Sequence, residues 1–524
     1  MVKHLFISSF FLFLIHSVSA QLTITAANTS IQTGAVITVK GDVSSTKNIP
    51  DMGKILLQGN DAQSVNMSGN SIPNLEIDNS SNVLLTGDAR ISNTLLFTHG
   101  KLIAGDYNLT LADITSVSGM GAGKFIETNG NGQVFKEISA NLNSNEIPVG
   151  TGTIYRPAFV TTSGTYNSAK VGVKVFGSSS ATKPPMTSDF LKTNWTITQT
   201  GITGTLNVSG KYDVTDISGN ENNLKAYLYN GTDWSSAIGS INTSGNTISF
   251  PITMAIANIT AIDKFDLLKA KAFLQGAYNS STGLMSDNLR TPTNLIPLSD
   301  PYRTSDYSAA FTIVNDATTE TIAPSVLADQ VSITDNIVDW IFLELRNTSA
   351  GNNIVQTRSA LIQRDGDIVD VDGVSPVTFN NVSSGNYTVA VRHRNHLGIS
   401  TDPATFTPAL DEKSSTASLV DFTTSNKIYG GASAYGVNNG KNVLWGGNAN
   451  GDGSVKYAGP NNDKDYILSV VLGGSGTSQI SGYKKGDINM DGIVNYSSPN
   501  NDKDFLLAKI LSGIATNFLT QYLP

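Results

Sequence analysis

The chain has 524 residues, a length that predicts three or four domains, and it contains no cysteine, which excludes disulfide bonds, thiolate metal sites and cysteine nucleophiles. With 34 basic and 42 acidic residues the net charge is −8, which argues against nucleic acid as a partner, because phosphate binding needs a concentrated basic surface. Charged residues make up only 15% of the chain, so hydroxyl and amide side chains supply much of the polar surface, as is typical of extracellular β-proteins.

The first twenty residues have the pattern of an export signal. Lys3 belongs to a short basic start, residues 5–15 form an apolar run, and Ala20 ends a small-residue pattern typical of a cleavage site. The apolar run is too short for a permanent membrane span, and no later apolar run is long enough. We therefore expect an exported protein, secreted or on the outer cell surface, with no transmembrane segment in the mature chain.

Very short apolar segments, separated by Asn, Gly, Asp and Ser, fill the next hundred residues. Segments such as 75–77, 83–85 and 95–97 have the length of rungs in a β-solenoid, where apolar side chains stack from turn to turn. Irregular strands of a β-sandwich are the alternative. Further along the chain the strands lengthen and alternate apolar with polar residues, which is typical of antiparallel sandwiches. Helical patterns are confined to residues 465–472 and 504–511.

The sequence therefore predicts a mainly β protein with a small helical module near its C-terminus. The predicted segments, in chain order, are a signal peptide (1–20), β-solenoid-like strand repeats (21–124), a β-sandwich (125–269), an immunoglobulin-like β-sandwich (270–410), a linker (411–444), a paired calcium-loop module (445–515) and a tail (516–524).

An internal duplication is the strongest motif. Residues 448–472 align without gaps on residues 487–511, and thirteen of the 25 positions are identical. In the second copy oxygen-bearing side chains occupy loop positions 1, 3, 5 and 9, and Gly492 occupies position 6. Ca²⁺ prefers roughly six to eight oxygen ligands, and a sharp turn at the glycine lets alternate side chains converge on one ion. The duplication therefore predicts two calcium sites, here called loop one (448–463) and loop two (487–502).

The two predicted sites differ in their charged ligands. The ligands predicted for loop two are Asp487, Asn489, Asp491, the carbonyl oxygen of Ile493, Asn495 and Asp502. The ligands predicted for loop one are Asn448, Asn450, Asp452, Ser454 and Asp463, and Lys456 occupies position 9. Because loop two has three carboxylates and loop one has two, we expect loop two to fill first. A pair of Asn- and Asp-rich turns without metal is the alternative.

These loops resemble the dockerin calcium repeats of bacterial carbohydrate-degrading assemblies. An ordinary dockerin loop has its last acid at about position 12, whereas four extra residues precede the last acid here, which is Asp463 or Asp502. The resemblance implies a type I-like dockerin module that binds two Ca²⁺ ions and docks to a cohesin-like partner.

Three other clusters have weaker signals. Residues 364–373 predict a hairpin with an acidic solvent face, with a further calcium site or a catalytic carboxylate pair as alternatives. Residues 392–396 follow a strand whose alternation places His393 on the face opposite His396, and hydrogen-bonded structural roles are favoured over anion or metal binding. Aromatic residues between 195 and 234 predict sandwich core rather than a sugar-stacking platform. The sequence has no nucleophile elbow, zinc motif or phosphate loop.

From residue 270 onward the chain resembles large secreted hemagglutinin-like or adhesin-like proteins of the Bacteroidota. Residues 273–278, 338–346, 360–367 and 392–396 carry this resemblance, together with the calcium repeats. It implies surface exposure and adhesion rather than a particular chemistry.

Two functions from different classes are compatible with these patterns. The first is an adhesin-like or structural protein whose calcium module docks to a cohesin-like protein or a cell-surface polysaccharide. The alternative is a polysaccharide-degrading enzyme or subunit, a glycoside hydrolase or polysaccharide lyase, tethered through the module. In a third arrangement the module packs against its own chain and binds no partner.

Overall fold

A computed structural model describes residues 21–25, 30–185, 187–236, 238–291, 294–316, 318–348, 352–382 and 385–524. The predicted export signal, residues 1–20, lies outside this range. The described residues are mainly β and form two compact units. Unit 1 takes the residues up to Ala181 with Asp189–Gly231 and Ser236–Ala261; unit 2 takes Thr182–Ser188, Thr232–Ser235 and Ile262–Pro524. The finer predicted division into domains stays a prediction.

The first 25 strands lie between Leu22 and Asp263. They are β1 (Leu22–Ile24), β2 (Val36–Val39), β3 (Val43–Ser45), β4 (Lys54–Leu57), β5 (Gln63–Asn66), β6 (Ser71–Asp78), β7 (Val83–Leu85), β8 (Ala89–His99), β9 (Leu102–Ile103), β10 (Leu109–Leu111), β11 (Ser116–Ser118), β12 (Ile126–Glu127), β13 (Val134–Ile138), β14 (Asn145–Ile147), β15 (Val149–Thr151), β16 (Ile154–Tyr155), β17 (Ala158–Phe176), β18 (Phe190–Leu191), β19 (Asn194–Lys211), β20 (Ile217–Ser218), β21 (Leu224–Tyr229), β22 (Trp234–Ser235), β23 (Ser240–Asn242), β24 (Thr247–Pro251) and β25 (Ile256–Asp263).

The predicted β-solenoid is confirmed and has about six turns. Each turn adds one strand to each of two parallel sheets: β1, β3, β5, β7, β9, β12 and β15 form one, and β2, β4, β6, β8, β10 and β13 lie in the other. Ile55, Leu75 and Leu95 are aligned in successive turns and are buried, so the short apolar segments form one continuous core.

Polar side chains at the corners hold neighbouring turns together. Asp42 Oδ1 accepts a hydrogen bond of 2.7 Å from the Ser64 N–H, 22 residues further on, and Asp88 Oδ1 accepts one of 2.8 Å from the Asn108 N–H. These bonds satisfy backbone groups that would otherwise be unpaired at the corner. The abundance of Asn and Asp between apolar segments therefore has a structural role in unit 1.

The solenoid continues into long antiparallel strands. β13 pairs antiparallel with β17, β17 pairs with β19 along nearly its whole length, and β19 also pairs with β24 and β25. Period-2 alternation places Val173, Trp195 and Ile197 in the core, where each is fully buried.

The remaining strands and both α-helices follow Asp263. They are β26 (Phe265–Lys271), β27 (Tyr278–Asn279), β28 (Leu284–Met285), β29 (Ile337–Arg346), β30 (Ile354–Gln363), β31 (Asp367–Val369), β32 (Val377–Asn380), β33 (Thr388–His393), β34 (His396–Ser400), β35 (Leu419–Asp421), β36 (Gly436–Asn438), β37 (Lys441–Val443), β38 (Ser454–Lys456), α1 (Asp463–Tyr466), β39 (Gln479–Ser481), β40 (Ile493–Asn495), α2 (Asp502–Phe505) and β41 (Phe518–Thr520).

One sheet organises unit 2. Its strand order is β32-β26-β31-β30-β29-β33-β34, and β35, from the predicted linker, pairs with β26. Every residue of β29 except Arg346 is buried, because other parts of the unit cover both faces of this strand. Burial of both faces explains why the amino-acid sequence of β29 is a nearly continuous apolar run.

Both copies of the duplication contain a short helix in the predicted place. α1 continues as a π-helical turn (Ile467–Val471), and α2 continues in the same way (Leu506–Ile510). Asn462 and Asn501 cap the two helices, since each side chain accepts a hydrogen bond from the backbone N–H three residues later. Within the described part of the chain, no helix has the length and apolarity that a membrane crossing requires.

Candidate metal centre

The two loops follow the same backbone path. Three pairs of equivalent residues have left-handed φ angles: Gly451 and Met490, Gly453 and Gly492, and Asn461 and Asn500. Each loop then forms a three-residue strand and ends at an Asn-capped helix. Duplicated sequence has therefore produced duplicated geometry, including a non-glycine residue at a positive φ of 58° in Met490.

Alternate side chains of loop two turn inward and bind the loop's own backbone. Asp487 Oδ1 and Oδ2 accept from the N–H groups of Asp491 (3.0 Å) and Gly492 (3.1 Å). Asn489 Oδ1 accepts from Asp491 at 3.1 Å, and Asp491 Oδ1 accepts from Ile493 at 3.0 Å. These bonds bring the oxygen atoms predicted at positions 1, 3 and 5 into one turn.

Asp502 closes loop two from the start of α2. Its Oδ1 accepts from the Ile488 N–H at 2.9 Å, and its Oδ2 accepts from the Asn495 N–H at 2.9 Å. Asp487 and Asp502 are both fully buried, and Asn495 is 4% exposed. The four extra residues relative to an ordinary dockerin loop therefore do not prevent the last acid from reaching the loop.

The buried carboxylates of loop two repel one another. Burial raises the pKa of Asp487 to about 6 and, with the negative charge of Asp487, raises the pKa of Asp502 well above its usual value. Asn495 Oδ1 is buried and has no hydrogen-bond donor among the described residues. Two close carboxylates and an amide oxygen without a donor form an environment that a cation would stabilise.

Loop one has the same frame with less charge. Asp463 is fully buried and accepts from the N–H groups of Asn450 (3.3 Å) and Lys456 (2.8 Å), while burial raises its pKa to about 7. Asn448 Oδ1 accepts from Gly453 at 3.3 Å. Asp452, which corresponds to the half-buried Asp491, is exposed and accepts from the Ser454 N–H at 2.8 Å.

Hydrogen bonds join Asp487, Asn489 and Asp502 to one stretch of loop-two backbone, and Ile493 and Ser454 each begin the strand that follows position 6. No group of three or more His, Cys, Asp and Glu side chains in the described residues has the arrangement of a metal site. Loop two combines carboxylates with amide oxygens, a donor set that suits a hard cation.

The structural repeat is longer than the aligned sequence. β39, at the end of the first copy, pairs with β40 of the second, and β41, at the end of the second copy, pairs with β38 of the first. β41 lies in the predicted tail, so the repeat extends to Thr520. The sequence signal is weak, since residues 479–481 and 518–520 share only a central apolar residue.

Sequence reasoning missed how the repeat is held. The tip of the β33–β34 hairpin, residues 394–395, contacts the chain at the start of both loops. Because His393 and His396 are cross-strand partners with Nδ1 atoms 2.9 Å apart, they share a face, and the predicted placement on opposite faces is wrong. The prediction assumed one continuous strand, whereas the chain turns between them.

A buried ion pair fixes this hairpin tip. Asp339 Oδ2 lies 3.1 Å from Arg394 Nε and 3.0 Å from His393 Nε2, and the Arg394 guanidinium stacks 4.4 Å above the Tyr483 ring. Although burial acts to raise it, Arg394 and His393 hold the pKa of Asp339 below its usual value. Arg394 also donates to the Lys484 carbonyl oxygen, three residues before loop two.

Ion pairs and burial account for the weaker clusters. In the acidic hairpin, Lys271 pairs with Asp365 (3.2 Å) and Asp367 (2.9 Å), while the buried Asp370 pairs with Arg358 (2.9 Å). Trp195 and Tyr227 are fully buried, so their rings are not available to stack on a sugar. The structural roles that the sequence favours for these side chains stay predictions.

Comparison of this chain with protein-family models, curated proteins and solved structures gives no match.

Proposed function

We propose that the protein is an exported adhesin-like or structural protein, secreted or on the outer cell surface, whose C-terminal repeat binds two Ca²⁺ ions. One observation carries the calcium assignment: Asp487 and Asp502 are both buried and repel one another, and Asn495 Oδ1 has no donor among the residues that the structure describes. A dehydrated cation inside loop two would offset the repulsion and supply the missing partner.

The ligand chemistry favours calcium over other metals. Every predicted ligand is an oxygen atom, whereas zinc prefers the nitrogen and sulfur of His and Cys. Calcium accepts mixed carboxylate, amide and carbonyl ligands in flexible geometry, while Mg²⁺ demands a smaller octahedral site. In this proposal the ion of loop two is held by the Ile493 carbonyl and by the side chains of Asp487, Asn489, Asp491, Asn495 and Asp502. The equivalent residues of loop one hold the second ion.

The packing of the repeat supports a locking role within unit 2. Met490 belongs to the same buried cluster as the main sheet, and the Gly398 N–H donates to Gln521 Oε1 at 2.8 Å. These contacts favour the arrangement in which the module packs against its own chain. Exposed apolar side chains on the repeat, among them Val470, Ile514 and Phe518, would remain for a partner such as a cohesin-like protein.

Calorimetry on the mature chain tests the calcium assignment. We expect two unequal calcium-binding events, the tighter one lost in Asp502→Asn, and no equivalent binding of Mg²⁺. In differential scanning calorimetry, a chelator should lower the melting transition of unit 2 and leave that of unit 1 in place. Two identical tight sites would contradict the ordering, and the absence of calcium binding would overturn the proposal.

The adhesive role is tested with a glycan array and a pull-down, each with and without chelator. Binding of a cell-surface polysaccharide or of a protein partner without release of sugar supports an adhesin. Binding that persists in chelator would show that the calcium loops are not the docking surface.

One observation favours the alternative, a polysaccharide-degrading enzyme. A cavity of about 920 Å³ in unit 2 is lined in part by Asp316, Gln356 and Tyr387. Burial and the charge of nearby Glu320 raise the pKa of Asp316 to about 7, against the effect of Arg303. A carboxyl group of this kind can act as a general acid. Release of reducing sugar by the wild type, and its loss in Asp316→Asn, would establish the alternative and exclude the non-enzymatic role.

A further inference from the structure

Asn395 lies at the tip of a hairpin that touches both calcium loops. It follows Arg394 in the two-residue turn between β33 and β34, and its side chain is fully buried. A fully buried amide at a hairpin tip is unusual, because such tips are normally exposed. Its surroundings are the segments that lead into loop one and loop two.

Asn395 binds the first residue of each loop through a different group. Its backbone carbonyl accepts a hydrogen bond of 3.0 Å from the N–H of Asn448, which is position 1 of loop one. Its side-chain Nδ2 donates a hydrogen bond of 2.7 Å to the carbonyl oxygen of Asp487, which is position 1 of loop two. A second donation from Nδ2 reaches the Lys485 carbonyl at 3.2 Å.

The hairpin tip joins these contacts to the rest of unit 2. Arg394 is 1% exposed and is held by Asp339 and by the Tyr483 ring, as described above. Asn395 Oδ1 lies 2.8 Å from His396 Nδ1, which sets the orientation of the amide and directs Nδ2 to the two carbonyls. A shift of either loop therefore has to break a buried hydrogen bond or move the tip.

We propose that Asn395 is a positioning residue that couples the two calcium loops, so that an ion in one loop strengthens binding in the other. This inference rests on the proposed calcium function. An ion fixes position 1 of its loop, and that position shares an anchor with position 1 of the other loop. The first ion to bind orders the anchor and bears the entropy cost. The second ion then binds a loop whose anchor is already ordered, so it binds more tightly, which is positive cooperativity.

The strand pairs β38–β41 and β39–β40 also join the two copies. They involve positions 7 to 9 of the loops, whereas Asn395 holds position 1 of each. A substitution at Asn395 leaves both strand pairs intact, so the contribution of the shared anchor can be measured separately.

A double-mutant cycle on the mature chain tests the coupling. Calcium affinity of loop two is measured by calorimetry in the wild type, Asp463→Asn, Asn395→Ala and the double variant. We expect Asp463→Asn to weaken loop two by about fivefold or more in the wild-type background and by less than about twofold in the Asn395→Ala background. If Asn395 has only a structural role, Asn395→Ala should lower the calcium affinity of loop two equally with and without Asp463→Asn. The fold-change caused by Asp463→Asn would then be the same in both backgrounds.

Gln275 provides the matched control. Its Oε1 accepts from the Gly446 N–H at 3.0 Å and its Nε2 donates to the Lys509 carbonyl at 3.3 Å, so it also fastens the repeat but contacts neither position 1. In the Gln275→Ala background, Asp463→Asn should still weaken calcium binding to loop two by about fivefold. If circular dichroism shows that Asn395→Ala is unfolded, Asn395→Ser, which is too short to reach both carbonyls, replaces it.

The outcomes separate the two proposals. Absence of calcium binding to the wild type overturns the proposed function and the coupling with it. Calcium binding to both loops with no effect of Asp463→Asn on loop two overturns the coupling alone. If Asp463→Asn weakens loop two by the same factor with and without the Asn395 side chain, the coupling belongs to the strand pairs, and the role of Asn395 is overturned.

Discussion

The hydroxyl of Tyr483 donates a hydrogen bond of 2.6 Å to Oδ1 of Asp339. Tyr483 lies between the two copies of the repeat, and Asp339 lies in β29, the buried strand of the unit 2 sheet. The same carboxylate binds Arg394 and His393 through Oδ2. One buried carboxylate therefore joins the segment between loop one and loop two to the hairpin and to the sheet.

Tyr483→Phe should destabilise unit 2 by about 1.5–3 kcal/mol, because a buried charged group loses a hydrogen bond while the ring and its contact with Arg394 remain. Chemical denaturation, followed by tryptophan fluorescence, measures the change. Tyr107→Phe, at a 40% exposed tyrosine of unit 1, is the control and should change the stability by less than about 0.5 kcal/mol. Equal effects of the two substitutions would contradict the role of the Tyr483 hydroxyl.

Position 9 should control the difference in affinity between the loops. Lys456→Asn gives loop one the residue of loop two, removes a positive charge near the ion and adds an amide oxygen. We expect calcium to bind loop one about tenfold more tightly, equivalent to about 1.4 kcal/mol. The reciprocal Asn495→Lys should weaken loop two, as calorimetry would show. Unchanged affinities in both variants would exclude position 9 from the two sites.

The contribution of the buried histidines to the stability of unit 2 should fall as the pH is lowered below 6.5, the ordinary pKa of histidine. Burial lowers the pKa of His396 well below that value and also lowers that of His393. At these two histidines the unfolded chain therefore binds more protons than the folded one, so their contribution to stability is full above 6.5 and is lost towards acid, whereas the raised carboxyl pKa values of the two loops act in the opposite direction.

Guanidinium denaturation at several pH values checks this dependence. The stability of the wild type relative to His396→Gln should fall between pH 6.5 and about 5, because the variant has no group to protonate at this position. His99→Gln, at an exposed histidine 2.6 Å from Asp78, should leave the stability of unit 2 unaffected. A stability difference between wild type and His396→Gln that does not change with pH would contradict this role of His396.

Lys136 should be essential to the solenoid of unit 1. Its ammonium group is buried and donates to the carbonyl oxygens of Ala112 (2.7 Å), Asp113 (2.9 Å) and Thr115 (3.2 Å). Lys136→Met removes this buried donor from three carbonyl oxygens, of which that of Ala112 still accepts from the Thr115 N–H, and should cost about 3 kcal/mol. Thermal unfolding of unit 1 measures this loss of stability. Lys40→Met, at an exposed lysine of the same unit, is the control and should be nearly neutral. A small effect of Lys136→Met would indicate that water replaces the ammonium group.

The sequence predicted those features that depend on local pattern. Apolar segments between Asn and Asp corners indicated the solenoid, and alternate oxygen-bearing residues around Gly492 indicated loop two. Contacts between distant segments could not be predicted, because Asn395 and Asp487 are separated by 92 residues and no periodicity joins them. The wrong placement of His393 had a similar cause, since nothing local marks the turn at Arg394 and Asn395.

Because β38 pairs with β41 and β39 with β40, neither half of the duplication is completed by its own residues. During synthesis, which proceeds from the N-terminus, loop one is made first but has no partner for β38 until Thr520 has been made. The final structure of the earlier half is therefore set by the last part of the repeat to appear, and the two halves mature together rather than in the order in which they are made.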